Sequence, residues 1–313
     1  MGGFPHPGCP HGLVIGIQEE RGKEMVGGLI NNCLGVKRCL RLRNIRFLMG
    51  IMAIAFFLAA IDPRSAWAGP PFVTDDPEPV EYKHWEFYVA SIYAQDKDER
   101  SGTAPHLEIN YGVWPNVQLH MIAPFVYVKP NDGSSQYGFG DLELGAKVRF
   151  VQETDSIPMV GIFPLIEVPT GDSSRGLGNG QAQIFLPIWI QKSWGPWTTY
   201  GGGGYWRNPG SGNKDYWFLG WEGQRDLSEK LTIGAELFYN TGSTEGSAYR
   251  LGFNVGTIVN FTDEHHFIFS AGRDIHGDNH FSAYVAYLWT FGPSPKKTGQ
   301  NEMMAPGAFS PRQ

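Results

Sequence analysis

Between residues 139 and 150 the chain places Phe139, Asp141, Glu143, Gly145, Lys147 and Arg149 at alternate positions, with Gly140, Leu142, Leu144, Ala146, Val148 and Phe150 between them. Successive side chains of an extended strand point to opposite sides, so this stretch predicts a strand with one charged face and one apolar face. A row of charges can pair across strands and hold a wall together, or it can line a passage and select what moves along it. In a membrane the row must face away from lipid, because an Arg or Lys on the lipid side near the midplane costs about 2–4 kcal/mol. The same alternation puts Glu86, Glu108, Glu167, Glu222, Glu236 and Arg250 on the inner face, together with the rings of Tyr88, Tyr216, Phe218 and Phe238. Acidic groups (Glu86, Glu108, Asp141, Glu143, Glu167, Glu222, Glu236) outnumber basic ones (Lys147, Arg149, Arg250) on that face. A narrow, low-dielectric passage magnifies such an imbalance, so the expected permeant is a cation or a neutral solute.

Other chemistry is poorly supplied. All three cysteines (Cys9, Cys33, Cys39) lie in the first 39 residues, so a chain trimmed beyond them has no disulfide, thiolate metal site or thiol nucleophile. His265-His266 follows Asp263-Glu264 on an expected turn, and His276 and His280 flank a polar loop; neither spacing is that of a metal site. The glycine-rich Gly176 to Gly180 opens a strand rather than a helix, which argues against phosphate binding. No Gly-x-Ser-x-Gly element occurs, no strand sets Ser beside His on its outer face, and no cofactor is implied.

The elements that must position the charges are strands. Of 313 residues, 42% are hydrophobic, 14% aromatic and only 18% charged, with 41 Gly. That is too aromatic for disorder and, at a mean hydropathy of -0.26, too polar for a helical membrane bundle. One apolar run, Phe47–Ile61, follows Arg41, Arg43 and Arg46 and precedes Ser65-Ala66-Trp67-Ala68. It reads as a secretory signal cleaved after Ala68, with residues 1–68 as upstream extension and signal peptide. From Gly69 onward there are 17 Lys and Arg against 27 Asp and Glu, a net charge of −10 that argues against a nucleic-acid partner.

Twelve segments alternate in polarity: 84–95, 103–114, 117–128, 137–152, 157–168, 180–192, 197–206, 215–225, 230–240, 247–261, 266–272 and 279–291. Connections 96–102, 129–136, 169–179, 207–214, 241–246 and 273–278 are long and rich in Gly, Ser, Asn and Asp. Those at 115–116, 153–156, 193–196, 226–229 and 262–265 are tight. An even number of strands with long loops on one rim and short turns on the other predicts an all-β fold, an antiparallel transmembrane β-barrel of the bacterial outer membrane spanning 84–291. Leu142, Leu144, Val148, Leu251, Phe253, Val255, Val285 and Trp289 are expected to meet lipid. Residues 69–83, acidic and rich in proline, form a periplasmic lead-in or a partial plug, and 292–313 a flexible C-terminal tail. Gly201 to Gly204, without side chains inside a strand, suggest a bend or something lying close in the lumen, such as the 69–83 segment.

The opening Gly69-Pro-Pro-Phe-Val-Thr-Asp-Asp-Pro-Glu-Pro-Val80, His84-Trp85-Glu86, Glu167-Val168-Pro169-Thr170-Gly171-Asp172, Gly178-Asn179-Gly180 and the block Trp197 to Trp206 together resemble the bacterial outer-membrane family of transporters of the meta-pathway of phenol degradation. The resemblance covers 69–291 and implies a porin-like barrel associated with uptake of small, often aromatic compounds. It carries no set of substrate residues. It departs from the usual barrel pattern in the 22 residues that follow Phe291, where such chains ordinarily finish on an aromatic strand. The expected function is therefore an outer-membrane channel for passive uptake of small, aromatic or hydrophobic molecules. A structural or adhesive barrel with a closed lumen is the alternative, and an outer-membrane enzyme a more distant one. Expected partners are outer-membrane lipid, the small-molecule permeant and the barrel-assembly machinery.

Overall fold

The structure, a computed structural model, describes residues 71–293; the expected leader and cleavage site and the tail beyond Pro293 lie outside them. Twelve strands follow in order: β1 (Trp85–Gln95), β2 (Glu99–Trp114), β3 (Val117–Pro130), β4 (Gln136–Phe139, resuming as Leu142–Val151), β5 (Met159–Ile162, resuming as Leu165–Val168), β6 (Gln183–Trp194), β7 (Trp197–Arg207), β8 (Tyr216–Ser228), β9 (Leu231–Asn240), β10 (Arg250–Asn260), β11 (His265–His276) and β12 (Phe281–Phe291). Each pairs antiparallel with its neighbours in sequence. β1 pairs with β12 over eleven residues, from Trp85 opposite Phe291 to Gln95 opposite Phe281, so the sheet closes and no edge is left.

Two strands are interrupted for identifiable reasons. In β4, Phe139 lies opposite Phe125 but Glu143 lies opposite Ile122, so one extra residue is accommodated at Gly140-Asp141. A one-residue bulge exchanges the faces. Phe139 accordingly sits outside, exposed and edge-on to Phe125 at 5.8 Å, and not on the inner face with Asp141 as simple alternation expects. In β5 the gap falls at Pro164, which has no N–H to give the ladder. The alternation survives it, with Phe163 buried inside and Ile166 exposed outside.

The loop pattern is less regular than expected. The β1–β2 connection is 96–98 rather than 96–102, because Gly102, at φ 150°, continues the ladder where a Cβ would fall 1.9 Å from the Ile92 carbonyl oxygen. The β4–β5 turn spans 152–158, since Pro158 cannot donate and pairing begins at Met159.

The polarity of the two faces decides the environment. Leu144, Ile233, Leu237, Val255, Val285 and Trp289 are exposed on the outside, and Trp85, Phe150, Tyr249 and Phe261 are exposed at or beside strand ends. Glu108, Lys147, Gln191, Glu222, Glu236 and Asn254 are buried inside. This is the reverse of a water-soluble protein and the arrangement of an outer-membrane barrel, with an apolar band banked by aromatic residues around a polar interior.

Gly201 to Gly204 do have something lying close to them in the lumen, but it is not the 69–83 segment. The nearest atoms to their missing side chains are Trp221 and Leu219 on the outside, with Trp189 and the Ile188 and Leu186 carbonyls among those on the inside; all belong to adjacent strands rather than to 71–83. The glycines make room for large rings on β6 and β8. Inside, Phe163, Phe185, Trp189, Phe218 and Phe238 form one packed cluster, with Phe185 stacked on Trp206 at 4.7 Å. A smaller cluster of Tyr88, Ala90, Ile268, Ala286 and Leu288 lies where β1, β11 and β12 meet.

Candidate functional site

Residues 71–81 run inside the barrel, held by inward side chains of distant strands. Glu236 accepts the backbone N–H groups of Val73 (2.9 Å) and Thr74 (2.8 Å), and Asn254 donates to the same carboxylate at 2.5 Å. Lys147 donates to Asp75 at 2.9 Å and to Asp76 at 3.3 Å, with its ammonium 5.0 Å from the centre of the Phe163 ring. Gln191 donates to Glu78 at 3.0 Å, Gln118 accepts from the Val80 N–H at 2.8 Å, and Ser270 donates to the Pro71 carbonyl at 2.6 Å. Thr74 and Asp76 are wholly buried.

Five glycines of the inner wall seat this segment. A Cβ at Gly256 would meet Pro71, at Gly234 Phe72, at Gly220 Thr74, at Gly161 Pro77 and at Gly112 the Glu81 carbonyl, each at 3.0 Å or less. This track is legible only after the fact, because a glycine on an inner face looks the same in sequence whether it faces a chain segment or a neighbouring ring.

Loop 169–182, between β5 and β6, folds back over the opposite end. Asp172 caps its short 3₁₀ turn (Ser173–Arg175) by accepting from the Ser174 N–H and hydroxyl, which hold the Asp172 carboxyl below the usual carboxylate range. Gly176, at φ 72°, ends the turn. Leu177 is then buried against the inner wall at Gly138 and Gly140. Asp141 fixes the fold-back by accepting the backbone N–H groups of Gly171 (2.9 Å) and Asn179 (2.6 Å).

Between this floor and this roof lies a cavity of about 750 Å³. One part of its wall is apolar, from Ile122, Pro124, Val126, Leu165 and Leu177. The other is a polar network on β1 to β4. Asn110 donates to Glu108 (2.9 Å) and Glu86 (3.3 Å), and Tyr88 donates to Glu86 at 3.0 Å. That fixes the Asn110 oxygen toward His120 Nδ1 at 2.7 Å, while His120 Nε2 faces Glu143 at 2.9 Å, so the ring is placed to donate from both nitrogens.

The ten expected lumen residues thus separate into groups. Glu86, Glu108 and Glu143 meet in the His120 network. Asp141 holds the loop, and Lys147 and Glu236 hold the 71–81 segment. Arg149 donates twice to Asn116 at the turn end, with Glu78 3.8 Å away. Arg250 lies at the loop end, bonded to Asp274 at 2.9 Å and over the Phe238 ring. Glu222 is completely buried between the wall and Phe72, its carboxyl oxygens without a hydrogen-bond partner among the described residues. Glu167 faces the cavity directly. Sequence reasoning missed His120, Asn110 and His106, whose inward positions follow from the β2 and β3 alternation that placed Glu108.

With this geometry in hand, comparison places the chain. Residues 89–289 match the family described as "Putative MetA-pathway of phenol degradation", and the chain belongs to that family. Among curated proteins nothing matches. Among solved structures, an outer-membrane channel from Pseudomonas putida F1 is similar, at 16% identity and a TM-score of 0.59, over 72% of this chain and 100% of that one. The KdgM porin aligns over 65% of this chain and 99% of its own at 11% identity, TM-score 0.46. A channel named as the CymD monoaromatic hydrocarbon channel aligns over 68% and 89% at 10% identity, TM-score 0.39. The first likeness shows the barrel fold; the other two fall below the similarity at which a fold argument can rest on them.

Proposed function

We propose that this barrel is a passive channel for small molecules, with a path set between the 71–81 segment and loop 169–182. The observation that carries the reading is the cavity of about 750 Å³ between them, with a polar side and a larger apolar side, inside an outer-membrane barrel. Its volume suits a molecule the size of a substituted benzene ring or somewhat larger. The family's association with phenol degradation makes small aromatic compounds the natural first permeants to try.

The 71–81 segment lies inside the barrel against its inner wall, so passage along this path requires it to shift. Its hydrogen bonds and ion pairs can be exchanged for water, unlike the ring contacts of the β5 to β9 cluster. Planar-bilayer recording on refolded protein tests the reading: small openings are expected, with reversal potentials in a salt gradient that favour cations. Absence of conductance in the unaltered protein and in a variant with the segment loosened would favour a closed structural barrel.

A further inference from the structure

The cavity's carboxylates are unevenly satisfied. Asp75 is bonded by Lys147, Asp141 by two backbone N–H groups, Glu143 by His120, and Glu86 and Glu108 by Asn110. Glu167 lines the same cavity and has no hydrogen bond or ion pair among the described residues. It lies directly opposite Glu143 on β4, an arrangement of like charges that weakens strand pairing. On its other side it pairs with Gln183, whose amide is turned to Asn208 at 2.5 Å. The amide next to it on β6 is therefore committed elsewhere.

Two further polar atoms on the cavity's lining residues lack partners among the described residues. Asn254, 3% exposed, has its Oδ1 unpartnered once its amide is given to Glu236. The Tyr284 hydroxyl is buried with no partner, beside the His106 ring. On the lining, acidic side chains (Asp75, Glu78, Glu86, Glu108, Asp141, Glu143, Glu167) outnumber basic ones (Lys147, His106, His120), and the cavity has an apolar side formed by Ile122, Val126, Leu165 and Leu177. An unpaired carboxylate facing a partly apolar cavity is costly, and a ligand that brings N–H donors on a cation to Glu167 removes that cost.

We infer that this cavity is a binding site for small organic cations, in which an ammonium sits against Glu167 and Glu143 and an apolar or aromatic body lies toward Leu165 and Leu177. The inference rests on the channel reading for its biological use, but binding itself does not depend on passage. An aromatic carboxylate of the same shape meets the unpartnered Glu167 and is turned away.

Isothermal titration of the refolded protein in detergent at pH 7 with benzylamine, benzyl alcohol and benzoate tests this. The amine, protonated at that pH, should bind about tenfold more tightly than the alcohol, the order expected of one charge-assisted hydrogen bond, and benzoate should bind least. Added salt should weaken the amine and leave the alcohol unchanged, a comparison that needs no variant. Glu167→Gln, checked for folding by its heat-modifiable mobility on gels, should bring the amine down to the alcohol. Equal binding of amine and alcohol, tighter binding of benzoate, or an amine preference that survives Glu167→Gln would overturn the inference. Proteoliposomes that pass no solute while the amine preference holds would sink the channel reading alone; passage without the preference would sink the site alone.

Discussion

Two parts of the inner wall obey the same alternation and end differently. On β5 to β9 the inward positions include Phe163, Phe185, Trp189, Phe218 and Phe238, which pack on one another. On β1 to β4 they carry Glu86, Glu108, Asn110, His120, Glu143 and Lys147, which are joined by hydrogen bonds and border the cavity. Rings fill space by contact and need no partner; charged groups hold one another at fixed distances and leave room between. The free volume therefore borders the hydrogen-bonded network and the apolar residues beside it, away from most of the ring cluster.

That contrast can be broken from either side. The largest loss of stability is expected for Trp189→Ala, which empties a fully buried site on the aromatic side, at about 3–5 kcal/mol. It should show as a lower temperature for loss of the compact band on gels, and an unchanged transition would mean the cluster is not what holds that half. On the polar side, Lys147→Met leaves Asp75 and Asp76 without their cation, a loss of the same order at most for a broken buried pair. Its effect should fall on the 71–81 segment rather than on the barrel. Larger conductance with little change in barrel melting is the expected result; a lower melting point with unchanged conductance would place the pair's role in the wall.

A smaller effect sharpens the comparison further. Gly234→Val puts a side chain where Phe72 and the Glu222 carboxyl already lie, an overpacking of about 1–3 kcal/mol that should also raise conductance. Gly223→Val, on the outer face of β8 where an added Cβ meets nothing within 4 Å, is the matched control and should be silent. Equal behaviour of the two would show that the segment does not press on the wall.

The weakest effect concerns the loop end. Asp215 accepts from the Asn208 N–H (2.9 Å), Arg207 (2.6 Å) and Tyr205 (2.8 Å), and these hold its carboxyl down at about 2. A carboxyl lowered on folding contributes above its ordinary value near 3.8 and loses that contribution as pH falls through about 2. Pepsin at pH 3 should therefore leave loop 208–215 intact, and cleavage there should appear only near pH 1.5. Asp215→Asn should be cut at both.

Most of the fold was legible in the sequence because period two is a local signal: the strand count, the inner position of Glu236 and the outer position of Val255 all follow from neighbours one residue away. What was not legible depends on contacts between distant residues. Phe139 changed faces because the fold-back of loop 169–182 onto Asp141 accompanies a bulge that nothing in 137–142 announces. Glu236 reads as a lumen charge, yet its partners Val73 and Thr74 lie 163 and 162 residues away and offer only backbone N–H groups, which every sequence has. Gly201 to Gly204 drew attention because they are consecutive, whereas the glycines that seat the inner segment are scattered singly over five strands.

The seam between β1 and β12 has a kinetic consequence. Trp85 and Phe291 are neighbours in the ladder although more than two hundred residues separate them, so the pairing that closes the ring has the highest contact order in the molecule. Such a contact forms only after the loop entropy of nearly the whole barrel has been spent. Until β12 is in place, β1 and β11 are both bare edges, each able to pair with a strand of another chain. Interruption of synthesis anywhere before Phe281 would therefore yield an open sheet prone to join others, not a smaller barrel. Until its last strand pairs, the chain therefore carries two bare edges whatever later passes through it.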